Sequence, residues 1–187
     1  MSDIDRLQKI LTEPLEYLHP QRLLVPAGFE GIEARSLLNR IVLEGLQLHG
    51  PWPSTALTGV AKQWVRHWRQ LPYIALLMGA YRLKPGLARG GASRCLPMTV
   101  RRFANYRLGP RSELWMDSAV SVERVEAAGF NALWSWHEQV PAFLLERLAL
   151  QFAEPVVRLQ RQWPVTKPDP TLFFLAVQHA RLYPLPG

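Results

Sequence analysis

Proline spacing sets the first limit on what this chain can become. Sixteen prolines punctuate 187 residues, and they fall between segments whose apolar residues recur at three- and four-residue steps. Proline lacks an amide donor and clashes with the preceding helical turn. It therefore opens or stops a helix but does not sit inside one, nor inside a central strand. No segment shows sustained strand alternation, and no repeat of solenoid period is present. The pattern predicts an all-α fold: an irregular multi-helix globular domain with proline-rich connections, built from seven to nine helices. With 48% hydrophobic and 20% charged residues, the chain can bury a proper core. Its length suits one domain over residues 1–187, with residues 1–28 packing on the helical body; two small domains would also fit.

The first helix is expected from a Ser2-Asp3 cap to about Leu11, with Ile4, Leu7, Ile10 and Leu11 on one face. Residues 13–26 are proline-spaced and read as turns and extended pieces, with His19 as a packed or capping residue. An amphipathic helix follows over Phe29 to His49. Gly45 falls on its apolar side, which implies close approach of another element or a weak point. His49 to Pro53 is a stop, and Ser54-Thr55 offers the next cap. Leu57, Val60, Ala61, Trp64, Val65 and Trp68 form a buried stripe. Pro72 then starts a helix through about Leu83, apolar enough to contact neighbours all round. Lys84-Pro85-Gly86 reads as a break before a short turn, and Gly90-Gly91 as a helix terminus. Further helices are expected after Pro97, Ser121, Pro141 and Asp169. Pro155 marks either a kinked continuation or a separate helix. Residues 111–120 admit a brief extended piece.

Charge is unevenly placed. Between Glu44 and Glu113 lie eleven of the 22 Lys and Arg residues and no Asp or Glu. The flanks hold the other eleven against all fifteen acidic residues, so they are mildly negative. Such a field suits an acidic protein face, nucleic acid or an anionic membrane. Arginine dominates, which favours planar pairing with carboxylates or phosphates. The N-terminal MSDIDRLQKILTEP has aspartates where a secretory signal would be basic. The longest apolar run, Tyr73 to Tyr81, falls short of the roughly 20 residues that span a bilayer. The chain therefore reads as soluble and intracellular.

Reactive chemistry is thinly supported. His19, His49, His67, His137 and His179 are scattered without ligand spacing, so no metal site is expected. Cys95 stands alone, which excludes an internal disulfide and suggests a buried or inert thiol. Gly90-Gly91 lacks phosphate-loop spacing, and no nucleophile or carboxylate-pair motif is present. Trp64 and Trp68 are expected in the core. Trp52, Trp115, Trp134 and Trp163 are less determined, and tryptophan and arginine together often concentrate partner-binding energy.

Three segments resemble a known family. They are the EPLEYLHPQRL stretch from Glu13 to Leu23, the block from Leu57 to Ala92, and AVQHARLYP from Ala176 to Pro184. The middle block carries Trp64-x-x-x-Trp68, Arg69-Gln-Leu-Pro72, Leu77-Met-Gly79 and Leu87-Ala-Arg-x-Gly-Ala92. In this order they are similar to the OrgA/MxiK (SctK) family of type III secretion sorting-platform proteins. Residues 108–166 carry no diagnostic motif. The resemblance implies a non-enzymatic subunit, without cofactor, at the cytosolic face of the bacterial inner membrane. It implies three partners: the cytosolic domain of the inner-membrane ring, the pod protein and the stator of the secretion ATPase. Contact with the membrane would be indirect, through the ring. The acid-free block singles out Arg66, Arg69, Arg82, Lys84 and Arg89 as partner-interface candidates. The competing reading is a basic helical nucleic-acid-binding protein tracking phosphates.

Overall fold

A computed structural model of the chain describes residues 2–25, 27–29, 31–48, 57, 59–90, 92–108 and 120–184. Among them are ten α-helices and no strand. In chain order they are α1 (Asp3–Thr12), α2 (Ile32–Gly45), α3 (Gly59–Arg66), α4 (Leu71–Arg82), α5 (Lys84–Gly90), α6 (Met98–Ala104), α7 (Val122–Trp134), α8 (Ala142–Leu148), α9 (Glu154–Arg161) and α10 (Pro170–Leu182). Short 3₁₀ turns join several of them. The all-α expectation holds. The number of helices exceeds the expected range partly because Lys84–Gly90, read from sequence as a break and a turn, is itself helical. Pro85 and Gly86 sit in its first turn, where a missing amide donor costs nothing.

The chain divides into two compact units, Met1–Arg69 with His137–Glu154, and Gln70–Trp136 with Pro155–Gly187. In the first unit, α1 opens with a reciprocal cap. The Asp5 amide donates to the Ser2 hydroxyl at 3.1 Å, and the Ser2 amide to the Asp5 carboxylate at 2.8 Å. Leu7 and Ile10 are buried on its inner face, and α3 buries Val60, Ala61, Trp64 and Val65. Trp64 and Trp68 are in the core as expected. The Tyr17 ring meets Trp68 edge-on at 5.5 Å, and its hydroxyl donates to the Ile10 carbonyl at 2.8 Å. The Arg22 guanidinium donates to the carbonyls of Phe152 and Ala149 and pairs with Glu154 at 2.9 Å. The EPLEYLHPQRL segment is thus a clasp whose aromatic and cationic side chains close onto distant parts of the unit.

Arg147 lies deep in this unit, only 2% exposed. Its Nη1 donates to the Phe143 carbonyl at 3.1 Å and its Nη2 to the Leu48 carbonyl at 2.5 Å. The guanidinium also lies against the Tyr17 phenol and opposes the rise in pKa that burial imposes there. By contrast, α2 buries no residue. It is tethered by the Leu15 amide donating to the Asn39 side chain at 3.0 Å and by the Arg35–Glu16 ion pair. Gly45 does not mark a close approach, since a Cβ there would meet nothing within 4 Å. The helix ends at Gly45, and Gln47 just beyond takes a positive φ of 52°. The expected stop over His49–Pro53 and the cap at Ser54-Thr55 lie outside the described residues.

The second unit is organised around α4, which is apolar enough to be buried on nearly every side. Leu71, Tyr73, Ile74, Ala75, Leu77, Met78, Gly79, Ala80, Tyr81 and Arg82 are all buried. Its main partner is α7, whose middle presents Ala127, Ala128, Gly129 and Ala132. Gly79 and Gly129 bring the two backbones together. A Cβ on Gly79 would overlap the Val125 carbonyl and stand 2.8 Å from the Gly129 nitrogen. One on Gly129 would overlap the Ala75 carbonyl. Helices α6 and α10 pack on α4 as well. Ser121 and Asp169 cap α7 and α10 as expected, at 3.3 Å and 2.9 Å. Pro155 sits in the first turn of α9, a helix in its own right. The connection from α9 to α10 is pinned by buried polar groups. The Asn131 amide donates to the Pro164 carbonyl at 3.0 Å, and Gln160 donates to Asn131 at 3.2 Å. Residues 111–119 lie outside the described residues.

Candidate partner-binding surface

Of the five basic residues singled out by sequence, Arg66 and Arg69 belong to the first unit and Arg82, Lys84 and Arg89 to the second. Arg66 is engaged inside the first unit, where its Nε and Nη2 grip the Asp3 carboxylate at 3.0–3.2 Å. Lys62 approaches the same carboxylate at 3.7 Å, and the Arg66 carbonyl accepts from Arg6 at 2.8 Å. The Arg66 hydrogen bonds hold the Asp3 carboxyl below its ordinary range. Arg69 pairs with Glu16, which also accepts from Arg35. The stretch that is acid-free in sequence therefore acquires Asp3 and Glu16 in space.

Arg82 is a correction. It is buried at 7% exposure, and its Nη1 donates to the Thr166 hydroxyl at 2.8 Å. Burial pushes its pKa down, while the Asp169 carboxylate pulls the other way. Its place at the end of α4, after eleven mostly apolar residues, puts it on the inner side of a helix with almost no solvent face. It braces the α9–α10 connection and does not face solvent as a docking cation. Lys84 is half-buried at the start of α5. Arg89 belongs to α5, with its side chain outside the described part.

The two units differ in charge. The first unit carries nine Lys and Arg against ten Asp and Glu; the second carries thirteen against five, a formal +8. Every ion pair found among the described residues lies in the first unit. The second unit's formal charge is therefore the larger and, among the described residues, the less compensated.

Part of that charge meets an aromatic cluster on α6 and the end of α10. The His179 imidazole bonds the Thr99 carbonyl through Nε2 at 3.1 Å, so Nε2 carries the proton. Its Nδ1 lies 3.3 Å from the Tyr106 hydroxyl, which donates to it. Burial holds this imidazole below its ordinary pKa, partly offset by the Thr99 bond. The rings of Phe103, Tyr106 and Tyr183 surround it at 4.9–5.8 Å. The Tyr73 hydroxyl bonds the Tyr183 carbonyl at 3.0 Å and the Thr99 hydroxyl at 3.2 Å. The Arg102 guanidinium sits over the Tyr183 ring, 5.9 Å from its centre. The AVQHARLYP segment thus latches α10 to α6 and α4. Sequence reading placed Arg101 and Arg102 in the basic block but did not select them. Their signal was an arginine pair one turn after Met98, with Tyr106 following.

His19 has a structural role too. His19 Nδ1 accepts from the Gln21 amide at 3.3 Å, a local cap. Cys95 is exposed, so it is not a core thiol. Among the described residues no group of three or more His, Cys, Asp and Glu is placed to hold a metal ion. None of the described helices is long and apolar enough to cross a membrane. Trp134 is half-buried and stacks edge-on with Phe130 at 5.9 Å; Trp52 and Trp115 lie outside the described residues.

The described residues thus form helices in two units, one braced by its acidic residues and one strongly basic. Comparison with known proteins shows which family the chain belongs to. The family model described as bacterial type III secretion apparatus protein (OrgA_MxiK) matches residues 7–182, and the chain belongs to that family. It is similar to the oxygen-regulated invasion protein OrgA of Salmonella typhimurium strains SL1344, LT2 and 14028s. Each is 29% identical over 178 residues, covering 95% of this chain and 87% of the relative. No solved structure matches the chain.

Proposed function

We propose that the protein is a non-enzymatic adaptor of the type III secretion sorting platform. It links the pod protein and the stator of the secretion ATPase to the cytosolic domain of the inner-membrane ring, and export of effector proteins depends on it. The observation that carries this reading is the family match over residues 7–182, which runs through both compact units. An adaptor needs at least two contact surfaces, and a near-neutral unit and a strongly basic one are the candidates for them. The place of action is the cytosolic side of the inner membrane, reached through the ring. Lys84 and Arg89 are candidates for the basic unit's contacts. Arg66 and Arg69, both solvent-accessible, could engage a partner carboxylate only by exchanging Asp3 or Glu16 for it. Such an exchange yields little net affinity and some specificity.

Removing the gene from cells that carry the apparatus tests the reading. Export of effector proteins is expected to fall to background and to be restored by the wild-type chain. A Cys95→Ser chain should restore it equally, since no chemistry is assigned to the thiol. Normal export without the gene, or failure of the Cys95→Ser chain at wild-type levels, contradicts the proposal. A salt-sensitive complex with DNA at physiological ionic strength would favour the nucleic-acid reading instead.

A further inference from the structure

From the α6–α10 surface of the basic unit we infer a docking site for an acidic, apolar-studded segment of another protein, made by Met98, Arg101, Arg102, Tyr106, Leu182 and Tyr183. The inference deepens the adaptor reading and rests on it. Three observations combine. First, large apolar side chains remain in solvent here: Met98 is 68% exposed, Leu182 72%, Tyr183 39% and Tyr106 36%. Second, Met98 and Tyr183 adjoin a cation. Met98 and Arg102 are one helical turn apart, and Arg102 lies over the Tyr183 ring. Tyr183 and Tyr106 both contact the His179 ring. Third, the α6 cations have no internal counter-charge among the described residues. Neither Arg101 nor Arg102 is in an ion pair with a described residue, and the Arg101 Nε is buried without a hydrogen-bond partner among them. Among the described residues from Pro164 to Pro184, the one carboxylate is Asp169. It caps the opposite end of the 13-residue α10, about 20 Å from Tyr183 at the rise of an α-helix, and is engaged with the Leu172 amide.

Charge complementarity chooses the occupant. A unit of formal +8 with an arginine pair attracts carboxylates or phosphates. A phosphate backbone, however, gains nothing from exposed Met98 and Leu182. Methionine, tyrosine and arginine together are the side chains enriched at protein interfaces, where flexible apolar groups fill a partner's surface and arginine fixes orientation. A guanidinium over an aromatic ring keeps its in-plane N–H groups available to a carboxylate fork. The latch beneath is held by Tyr73, Thr99 and His179, so the surface is preorganised and little ordering opposes binding.

The test places a photo-crosslinking amino acid at Met98 and, separately, at Leu182 of the full chain in cells assembling the apparatus. Both positions are expected to crosslink to the same apparatus protein, through a peptide of net negative charge. Arg101→Glu with Arg102→Glu should reduce the crosslink at least tenfold, and the Gln pair should reduce it less, with circular dichroism and thermal midpoint unchanged. Crosslinks to nucleic acid or lipid, no crosslink at either position, or a crosslink indifferent to both arginine pairs would overturn the inference. If the double-Glu chain misfolds, the Gln pair alone decides, since a carboxylate partner requires its loss of crosslink as well. Normal export in cells lacking the gene would defeat the adaptor reading. A gene needed for export, with an arginine pair irrelevant to the crosslink, would defeat this site alone.

Discussion

Gly79→Ala lowers the unfolding free energy of the basic unit by about 3 kcal/mol or more, and Gly129→Ala does the same. Glycine-to-alanine exchange inside a helix ordinarily stabilises by about 0.5–1 kcal/mol, through backbone entropy. Here the sign reverses because the new methyl has nowhere to go. It meets backbone at Val125 and Gly129 in one case and the Ala75 backbone in the other. A side chain can rotate aside, but a helix backbone moves only with its whole helix. Separating α4 from α7 would loosen contacts of Ile74, Leu77, Met78, Phe130 and Leu133, all fully buried. Denaturant melts followed by circular dichroism check this. The two substitutions should be non-additive, the second costing less once the first has parted the helices. Gly45→Ala provides the contrast, since that position is open, and its effect should stay within about 0.5 kcal/mol.

Arg147→Ala destabilises the first unit by about 3 kcal/mol. The guanidinium is a buried cation with no carboxylate partner among the described residues, solvated by carbonyls and by the Tyr17 phenol. Truncation removes the packed stem, leaves a cavity and strands the Leu48 carbonyl without its donor. Arg147→Met keeps most of the volume and removes the charge, so it should cost about half as much. Urea midpoints of the two variants check the ordering. Equal costs would show that hydrogen bonding outweighs packing here.

The fold was legible where local signals agreed. Ser121 and Asp169 announce their helices by capping, and the stripe from Val60 to Trp68 announces its burial by spacing. Pro155 was ambiguous between a kink and a new start, because both place proline near a first turn. Lys84-Pro85-Gly86 misled for the same reason: the triplet that stops one helix also suits the first turn of the next. Gly79 stands inside a family motif without an evident reason, since its meaning lies in Gly129, fifty residues away. The interface candidates were the least legible. A run without acidic residues says nothing of which distant carboxylates fold onto it, and Asp3 and Glu16 come from the far end of the unit's own chain. Arg82 was hidden by similar logic, because a cation ending an apolar helix can face inward when Thr166 and Asp169 await it. Membership in a secretion-apparatus family, by contrast, was legible from ordered blocks at both ends and the middle of the chain.

Reconstitution from purified parts tests the adaptor account most directly. The cytosolic domain of the inner-membrane ring and the pod protein, with the ATPase stator, are sedimented with and without this chain. The account predicts that ring domain and pod protein travel together only when the chain is present, in a complex containing all of them. Ring domain and pod protein travelling together equally well without it, or a chain that binds neither, would contradict the account.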